Sequence, residues 1–397
     1  MGGDVSNYKP LRFFQIGVAL TRTNDFNFQS TAAGLNPSSS MVDAYLQTIN
    51  SLDNLNNLLD PDGNPGDFFN ENYPYDLSPA WETYLVDRYY DTLNNNYFFS
   101  SPVPAGNIWQ HNTVISKGRA EEWTFAAAGN FYDKIFVGAS MGITRLKLNS
   151  TRNYKETPNA TDDSFTSWAH QEDLNDSAKG VNIKLGLIYY PAQWIRIGAA
   201  WHSWTLYSFD ETWATETSAA LKNGQGNQKY LSPSLSHSYD FQTPQTLIGS
   251  CAFFIGQHGL ITADMEYKNY GTGRFSVEDD DNAFSDVNND ISRQLKPTFN
   301  MRFGTEWRIW QYFLRGGAAY YGSPFGFGNI YGSVKKISLG LGYATSENTY
   351  WDFAFELTES AKAFTPYSCI VDGQNIVSDV VQHQWRNKFV ITMKMKL

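Results

Sequence analysis

The chain has 397 residues and a formal net charge of −10 at pH 7; 16% of its residues are aromatic and 18% are charged. The aromatic content excludes a disordered chain, two cysteines exclude a disulfide scaffold, and the lack of any run of about 20 apolar residues excludes membrane-spanning helices. The net negative charge argues against nucleic acid as a partner. A large, aromatic-rich β protein remains.

Apolar and polar residues alternate with a period of two along most of the chain, which predicts strands with one apolar face. At the C-terminus, Phe389, Ile391 and Met393 form such a face, and lysines lie on the other. Many of the stretches reach the roughly 9–11 residues that a tilted strand needs to cross a bilayer. In chain order, the twelve predicted strands are 10–24, 119–131, 134–150, 179–190, 194–207, 243–255, 259–272, 297–309, 311–322, 333–345, 349–361 and 384–397.

The connections between these strands alternate between short turns and long polar loops. Such sorting is typical of a transmembrane β-barrel with tight periplasmic turns and long extracellular loops. A soluble sandwich has no physical reason to sort its loops by length. The short turns are 132–133, 191–193, 256–258, 310 and 346–348, and the long loops are 25–118, 151–178, 208–242, 273–296, 323–332 and 362–383.

The segment 25–118 is predicted to be one long extracellular loop insertion with two short helices. Ser38, Ser39 and Ser40 can cap a helix over 41–59. Ser78-Pro79 opens a second helix over 80–93. Two roles are open for these helices, either shielding the barrel mouth or giving an apolar ligand its first landing site. The candidate landing residues are Tyr45, Leu46, Trp81, Tyr84 and Leu85.

Aromatic residues cluster near both ends of the predicted strands. Trp194 and Trp310 lie near short turns, and Tyr267 and Tyr320 lie near long loops. Two such belts are typical of barrels with an aromatic girdle at each membrane interface. We therefore predict an all-β fold in which residues 1–397 form a single transmembrane antiparallel β-barrel. The expected location is the outer membrane of a Gram-negative bacterium, with outer-membrane lipid around it.

Four segments lie at 118–143, 180–203, 239–270 and 300–325, and the last three contain the motifs Tyr-Pro, Thr-Pro and Gly-Ser-Pro-Phe. These segments resemble the FadL-like family of outer-membrane transporters for long-chain fatty acids and other hydrophobic compounds. The likeness covers 118–397 and, more weakly, 10–24, and it looks closest to a divergent branch of the family. Its most specific marks are Tyr-Pro at 190–191, Thr-Pro at 243–244 and Gly-Ser-Pro-Phe at 322–325. These marks support the fold more than a substrate. The segments are GRAEEWTFAAAGNFYDKIFVGASMGI (118–143), GVNIKLGLIYYPAQWIRIGAAWHS (180–203), YDFQTPQTLIGSCAFFIGQHGLITADMEYKNY (239–270) and NMRFGTEWRIWQYFLRGGAAYYGSPF (300–325).

The resemblance also implies features that are not recognisable in this sequence. Members of the family carry a signal peptide, an N-terminal hatch inside the barrel, and fourteen strands. Twelve strands are visible here, and we interpret the sequence as one that lacks its signal, hatch and first two strands. A genuine twelve-stranded relative without a hatch is the alternative. The position of any lateral opening does not follow from the sequence.

Alternation further predicts which polar residues face the lumen, because an Arg or Lys on the lipid side costs about 2–4 kcal/mol at the bilayer midplane. These residues form either a network that holds the barrel in shape or a ligand site in which Arg302 or Arg315 binds a carboxylate through its planar fork. His202, Trp204, Phe313 and Tyr321 are expected to line an apolar route. The charged candidates are Asp264, Glu266, Arg302, Glu306, Arg315, Asp352 and Glu356.

The sequence favours passive uptake of hydrophobic small molecules such as long-chain fatty acids. One alternative is a structural or accessory barrel that docks a secretion or surface complex. Another is a barrel hydrolase acting on lipids, against which the opposite parity of His202 and Ser203 argues. No catalytic motif is found, so an enzyme is not predicted.

No cofactor and no metal site are predicted. The six histidines lack metal-binding spacing, and the acidic loop at 278–290 lacks the glycine and closing glutamate of a calcium loop. A monomer is expected, and the sequence names neither a protein partner nor the substrate.

Overall fold

The computed structural model describes residues 10–52, 59–60, 64–93, 96–159, 165–222, 224–280, 282–326, 332–345, 349–371, 374–377 and 380–395. It is 69% strand and 10% helix, which confirms the all-β prediction. No helix in these ranges is long and apolar enough to cross a membrane.

Twelve long strands follow one another in a single antiparallel sheet. Each predicted strand corresponds to one of them, so the period-two pattern located these twelve long strands but not the five further strands of the same sheet. In order of hydrogen-bonded neighbours, they are β1 (Leu11–Asp25), β5 (Ile108–Phe131), β6 (Ile135–Pro158), β7 (Phe165–Ala192), β8 (Ile195–His202), β12 (Thr246–Ile255), β13 (Gly259–Asn269), β15 (Pro297–Ile309), β16 (Tyr312–Tyr321), β17 (Val334–Ala344), β18 (Thr349–Phe364) and β21 (Val380–Met395).

The two edges of this sheet are β1 and β21. β1 pairs with β5 and β21 pairs with β18, but no ladder joins β1 to β21 within the described residues. The antiparallel sheet of the predicted barrel is therefore present, and its closure into a ring stays a prediction.

The sheet has two chemically different faces. The face that we call the outer face exposes a large apolar side chain on every one of the twelve strands, whereas the inner face carries polar and small residues. A water-soluble protein rarely leaves so large an apolar surface uncovered. Examples on the outer face, one per strand, are Val18, Phe125, Met141, Ile183, Ile197, Leu247, Met265, Phe303, Leu314, Leu339, Phe353 and Ile391.

Tight turns join the strands at one end of the sheet. Tyr132 and Asp133 both have φ near +56°, which is the backbone of a two-residue turn that matches strand twist. Gly256 and Trp310 also adopt φ of +55°. These turns lie where short connections were predicted, and the predicted turn at 346–348 falls outside the described residues.

Several segments that were predicted as long loops are strands, and this is a correction. β6 and β7 continue their ladder to Glu156↔Trp168, through most of the predicted loop 151–178. The sequence signal failed because both faces of these extensions are rich in polar residues, which hides a period-two pattern. The further strands are β2 (Phe28–Asn36), β9 (Leu206–Leu221), β10 (Asn227–Leu231), β11 (Leu235–Gln242) and β14 (Arg274–Ser276).

A cap of short elements covers the end of the sheet opposite the tight turns. The predicted helix at 41–59 begins as expected at the Ser40 cap but ends at Asn50; residues 53–58 lie outside the described ranges. The cap consists of α1 (Met41–Asn50), α2 (Gly66–Asn72), α3 (Leu77–Glu82), β3 (Asp87–Asp91) and β4 (Asn96–Ser100). The short elements of the neighbouring loops are α4 (Ser285–Gln294), β19 (Ser368–Val371) and β20 (Gln374–Val377).

The predicted helix at 80–93 is wrong. α3 ends at Glu82, Tyr84 turns the chain with φ of +55°, and β3 follows as one strand of a hairpin. Tyr89 stacks on Phe98 across that hairpin at 5.5 Å. Cross-strand aromatic pairs stabilise a hairpin, and this tertiary pairing outweighed the helical spacing of the same residues. The described part of the segment 25–118 thus contains three helices, whereas two were predicted.

Among the described residues, most of the buried apolar side chains form a cluster under this cap. Val42 and Ile49 of α1 and Leu77 of α3 pack toward Tyr154 of β6 and Trp168 of β7. The hydrophobic core of the described chain is therefore at the cap end and joins the cap to the extended strands. The sheet below it has no comparable core, because its outer apolar residues are exposed.

Candidate functional site on the inner face of the sheet

A concavity of about 530 Å³ indents the inner face across β5, β6, β7, β8 and β12. The concavity exists because most inward-facing residues at this place are Gly, Ala or Ser, whose small side chains leave space above the sheet. Lys184 and His202 lie at its cap-side rim, and Phe136 and Ile188 lie toward the tight turns. Its small lining residues are Ala126, Ala128, Gly138, Ser140, Gly186, Gly198, Ala200 and Ser250.

A buried polar cluster lies beside the rim of the concavity. Asn182 donates to Glu122 Oε2 at 2.8 Å, and the Lys184 ammonium is bound to Oε1 of the same carboxylate. Asn182 Oδ1 and Thr144 Oγ1 are buried without a hydrogen-bond partner among the described residues. Such orphaned acceptors are rare in folded proteins. The sequence analysis missed this cluster, although its residues share the inward parity used for other strands.

Two further ionic groups lie on the inner face of β13, β15 and β16. Arg302 binds Glu266 at 2.6 Å, and its guanidinium lies 5.6 Å from the ring of Tyr321. Asp264 lies opposite Arg302 in the ladder, and Asn300 donates to Glu266 at 2.8 Å. Arg302 is thus already neutralised by a protein carboxylate.

Arg315 is the centre of the second group. Its Nε binds Glu306 at 2.5 Å, its other side binds Asp352, and its guanidinium lies 5.6 Å from the ring of Phe313. Lys394 adds a second cation to Asp352 at 3.1 Å. On the next strand pair, Lys336 binds Glu356 at 3.2 Å. The predicted lumen charges are thus placed as paired networks, and their role in binding a ligand stays a prediction.

The two residues predicted on β8 are placed differently. His202 lines the concavity and stands between Lys184 and Thr246 in the ladders. Trp204 lies in the break between β8 and β9 and is 41% exposed. Thr205 accepts a hydrogen bond from the inward-facing Asn182, so the simple alternation that placed Trp204 inward does not continue through this break.

The floor of the inner face, near the tight turns, is aromatic and cationic. The guanidinium of Arg196 lies 4.6 Å from the ring of Tyr190 and 4.1 Å from that of Phe254. Cation–π contacts of this kind are attractive in the absence of bulk water. They fix two rings at the end of the concavity away from the cap.

The predicted landing residues are mostly internal to the cap. Tyr45 is 7% exposed and Leu85 is fully buried, while Leu46 and Trp81 pack against the same core. Only Tyr84, at 38% exposure, presents much surface. Further exposed aromatic residues of the cap lie on the β3–β4 hairpin, of which only β3 falls within the predicted helix 80–93.

Glu156 of β6 fastens the cap to the sheet. It is fully buried, and its two carboxylate oxygens accept five hydrogen bonds, two of them from the start of α1. The carboxylate therefore holds the helix terminus, where unpaired backbone N–H groups and the helix dipole favour an anion. The donors are Ser40 Oγ (2.6 Å), Met41 N (2.9 Å), Gln110 Nε2 (3.0 Å), Tyr154 OH (2.6 Å) and Trp168 Nε1 (2.8 Å).

His170 lies in the same buried region at the cap end of β7. Burial, followed by the nearby charge of Arg152, lowers the pKa of His170 to about 4. The ring is therefore neutral at pH 7, and its Nδ1 lies 2.8 Å from Thr217 Oγ1. Within the described residues, no group of three or more His, Cys, Asp or Glu is arranged to hold a metal ion.

No protein-family model matches the sequence, and no curated protein matches it. In structure, the chain resembles several solved proteins, among them a channel and a transporter. At TM-scores below 0.5 these likenesses decide nothing about function. They are a Pseudomonas aeruginosa FadL homologue (11% identity, TM-score 0.47, 96% of this chain and 90% of that chain), the CymD monoaromatic hydrocarbon channel (12%, 0.43, 83% and 92%) and the Pseudomonas putida toluene transporter TodX (12%, 0.44, 79% and 87%).

Proposed function

We propose that this protein is an outer-membrane channel through which hydrophobic small molecules, such as long-chain fatty acids, cross by passive diffusion. The observation that carries the proposal is the pairing of an apolar outer face with a concavity of about 530 Å³ on the inner face. The outer face provides the contact with lipid, and the inner concavity provides a place for an apolar ligand.

The physical basis of the outer face is the cost of leaving apolar surface in water. Each Å² of apolar surface that moves from water into lipid contributes about 25 cal/mol. On the outer face, Ile183 is 52% exposed and Leu339 is 62% exposed, and similar residues occur on all twelve strands. A bilayer around the sheet removes this penalty, and a sheet can span a bilayer only as a closed barrel.

The proposed route runs from the cap, past the polar rim, to the concavity. An apolar ligand needs no energy source there, because contact with Ala128, Ile188 and Ala200 replaces contact with water. The carboxylate of a fatty acid meets the rim, where Lys184 and His202 lie. Lys184 is bound to Glu122, so a ligand carboxylate would share or replace that partner.

A single substitution tests whether the concavity carries transport. Gly186 lies on its floor, and a Cβ atom built there meets nothing within 4 Å, so Gly186→Phe fills the space without a backbone clash. We expect uptake of radiolabelled oleate and of an aromatic hydrocarbon to fall to the level of cells that lack the protein. The measurement is the initial uptake rate in intact cells.

Gly249→Phe is the matched control. Gly249 lies on the outer face, opposite Ala199, and its Cβ position is also open, so the control adds the same ring on the lipid side. Wild-type uptake in this variant is expected. If Gly186→Phe transports both compounds at the wild-type rate, the concavity is not the route. Loss of hydrocarbon uptake alone would reject fatty acids as the substrate class.

An accessory role that docks a surface complex is the second candidate, and the β3–β4 hairpin is the observation that favours it. Tyr89, Tyr90 and Phe98 are each about half exposed, and exposed aromatic clusters are typical of protein interfaces. Replacing all three by Ser should remove a stoichiometric partner from the purified protein if docking is the function. Recovery of the protein without any stoichiometric partner before substitution contradicts this candidate.

A further inference from the structure

Arginine and lysine side chains form a cluster on the outer face of β1, β5, β6 and β7. The cluster lies just beyond the apolar band, on the side of the cap. The ladders place Glu121 beside Arg145, and Arg145 beside Lys179. One step further from the band, Arg119 lies beside Lys147. Neighbouring strands are about 4.8 Å apart and one step is about 7 Å, so these side chains form one compact patch. The cation patch, all of it exposed, is Arg22, Lys117, Arg119, Arg145, Lys147 and Lys179.

The cation patch is only partly neutralised. Glu121 lies 3.7 Å from Arg22 and 3.0 Å from Arg119. Arg145, Lys147 and Lys179 make no ion pair among the described residues. Four carboxylates border the patch, namely those of Asp25, Asp173, Asp210 and Asp240. A protein with a net charge of −10 therefore concentrates positive charge at one place on its outer face.

Apolar rows adjoin the patch on the side of the tight turns. The first row contains Trp123, Ile143 and Val181, which are 45%, 38% and 51% exposed. About 20 Å from the patch along the strands, the outer face dips into a groove of about 790 Å³. Its lining residues include Phe131, Val137, Leu185, Leu187, Trp201 and Leu247, with Ala127, Ala139 and Ala199.

Neutral polar residues adjoin the patch on the opposite side. Ser177 lies beside Lys147, and Asn149 lies beside Asn175 one step further out. The outer face thus changes from apolar to cationic to neutral hydrogen-bonding groups over a few steps of the same strands. This is the order of acyl chain, phosphate and sugar in a phosphorylated glycolipid.

The rest of the cap-side rim has no such patch. On β13, β15 and β16 the corresponding residues are Tyr267, Phe299 and Tyr320, which are aromatic. On β17 and β18, Lys335 lies opposite Glu359 in the ladder. Beyond β7, the outer-face cations of the described strands are isolated from one another, as Arg274 of β14 and Lys335 of β17 are, so the cluster of cations lies on the β1–β7 side.

We propose that the cation patch binds the phosphates of a glycolipid in the outer leaflet, with its acyl chains on the apolar rows and in the groove and its sugars on Ser177, Asn149 and Asn175. This inference rests on the proposed membrane location but not on transport. Arginine and lysine suit phosphate because they donate charge-assisted hydrogen bonds to its oxygens. The site gives the protein a bound lipid at a fixed position and leaves the inner face free.

Lipid binding by the purified full chain in a neutral detergent tests the inference. Native mass spectrometry measures the dissociation constant of the diphosphorylated, acylated disaccharide anchor of lipopolysaccharide. The test variant replaces Arg145, Lys147 and Lys179 by Gln. The control variant replaces Arg293, Lys335 and Lys362 by Gln, which removes the same charge from exposed positions elsewhere.

We expect the test variant to bind the diphosphorylated lipid roughly 100-fold more weakly than the wild type, since each cation near anionic lipid contributes about a factor of five. The control variant should bind this lipid as tightly as the wild type does. The enzymatically dephosphorylated lipid should bind the wild-type chain as weakly as the diphosphorylated lipid binds the test variant. This second comparison needs no substitution, so it holds even if the test variant folds poorly.

Three outcomes would overturn the inference. Equal binding of the phosphorylated and dephosphorylated lipids would show that the cation patch does not bind the phosphates. Displacement of the glycolipid by millimolar inorganic phosphate would identify a site for free phosphate. Binding of phosphatidylglycerol as tightly as the glycolipid would show that the sugars do not contribute to binding. Uptake by cells plays no part in these measurements, so failure of the transport proposal and failure of this one are distinguishable.

Discussion

Glu156 is a single buried carboxylate on which the position of the cap depends. Its oxygens accept from the first residues of α1 and from two aromatic side chains of the extended strands. No apolar contact can replace these bonds, because each donor left unsatisfied in a buried place costs about 1–3 kcal/mol. The residue therefore links local helix capping to the placement of a whole layer.

Glu156→Gln should loosen the cap without disturbing the twelve-stranded sheet. The new amide turns an N–H₂ group toward protein donors, so we expect a loss of about 3 kcal/mol in the local stability of the cap. The measurement is the rate of proteolysis within 37–107 in the membrane-inserted protein. Glu71→Gln on the exposed side of α2 is the control, and equal cleavage of the two variants would contradict the anchoring role.

At the scale of elements, the strands that extend beyond the apolar band contain a partly buried carboxylate that lies opposite a second carboxylate. Asp176 of β7 lies opposite Glu211 of β9, and Tyr239 donates to Glu211 at 3.0 Å. Burial and then the charge of Glu211 raise the pKa of Asp176 to about 6. The folded state therefore holds a proton more tightly than the unfolded state, which destabilises these strands as pH rises from about 4 through 6.

Asp176→Asn should stabilise the β7–β9 pair at pH 7. A shift of about two units corresponds to about 3 kcal/mol, and screening at this partly exposed site reduces the expected gain to about 1 kcal/mol. Amide exchange on β7 and β9 should slow about fivefold at pH 7 and match the wild type near pH 4. Asp210→Asn, on the exposed side of β9, should change little; a gain for Asp176→Asn that persists at pH 4 would exclude the proposed repulsion.

The elements themselves show where local pattern suffices. The period-two alternation placed all twelve main strands, because each of them has a stretch of outward residues that are mostly apolar. It failed in 151–178, where both faces are rich in polar residues, in 208–242, and in 80–93, where Tyr89 stacks on Phe98 across a hairpin. These failures concern residues whose partners lie far along the chain.

For the whole molecule, the sorting of connections supports one orientation in the proposed outer membrane. The tight turns lie at one end, and the cap and long hairpins lie at the other. Gln257 is in a tight turn, and Gln225 is in the connection between β9 and β10. In the proposed orientation, Gln257 faces the periplasm and Gln225 faces the outside of the cell.

Cysteine labelling measures this orientation directly. A membrane-impermeant maleimide applied to intact cells should label Gln225→Cys and should label Gln257→Cys only after the cells are broken. The unsubstituted chain, which already contains Cys251 and Cys369, gives the background. Labelling of both positions in intact cells, or of Gln257→Cys alone, would reverse or reject the proposed orientation.

The sequence by itself determined the twelve long strands, their two faces and the end at which most connections lie, because alternation and turn chemistry depend on neighbours one or two residues apart. Only the tertiary structure decided which inward residues meet. It placed Arg302 on Glu266 and Arg315 between two carboxylates, and it aligned small residues of five strands into one concavity. It also gathered the cation patch and brought Ser40 to Glu156. Such contacts depend on the register between strands, which long-range pairing sets.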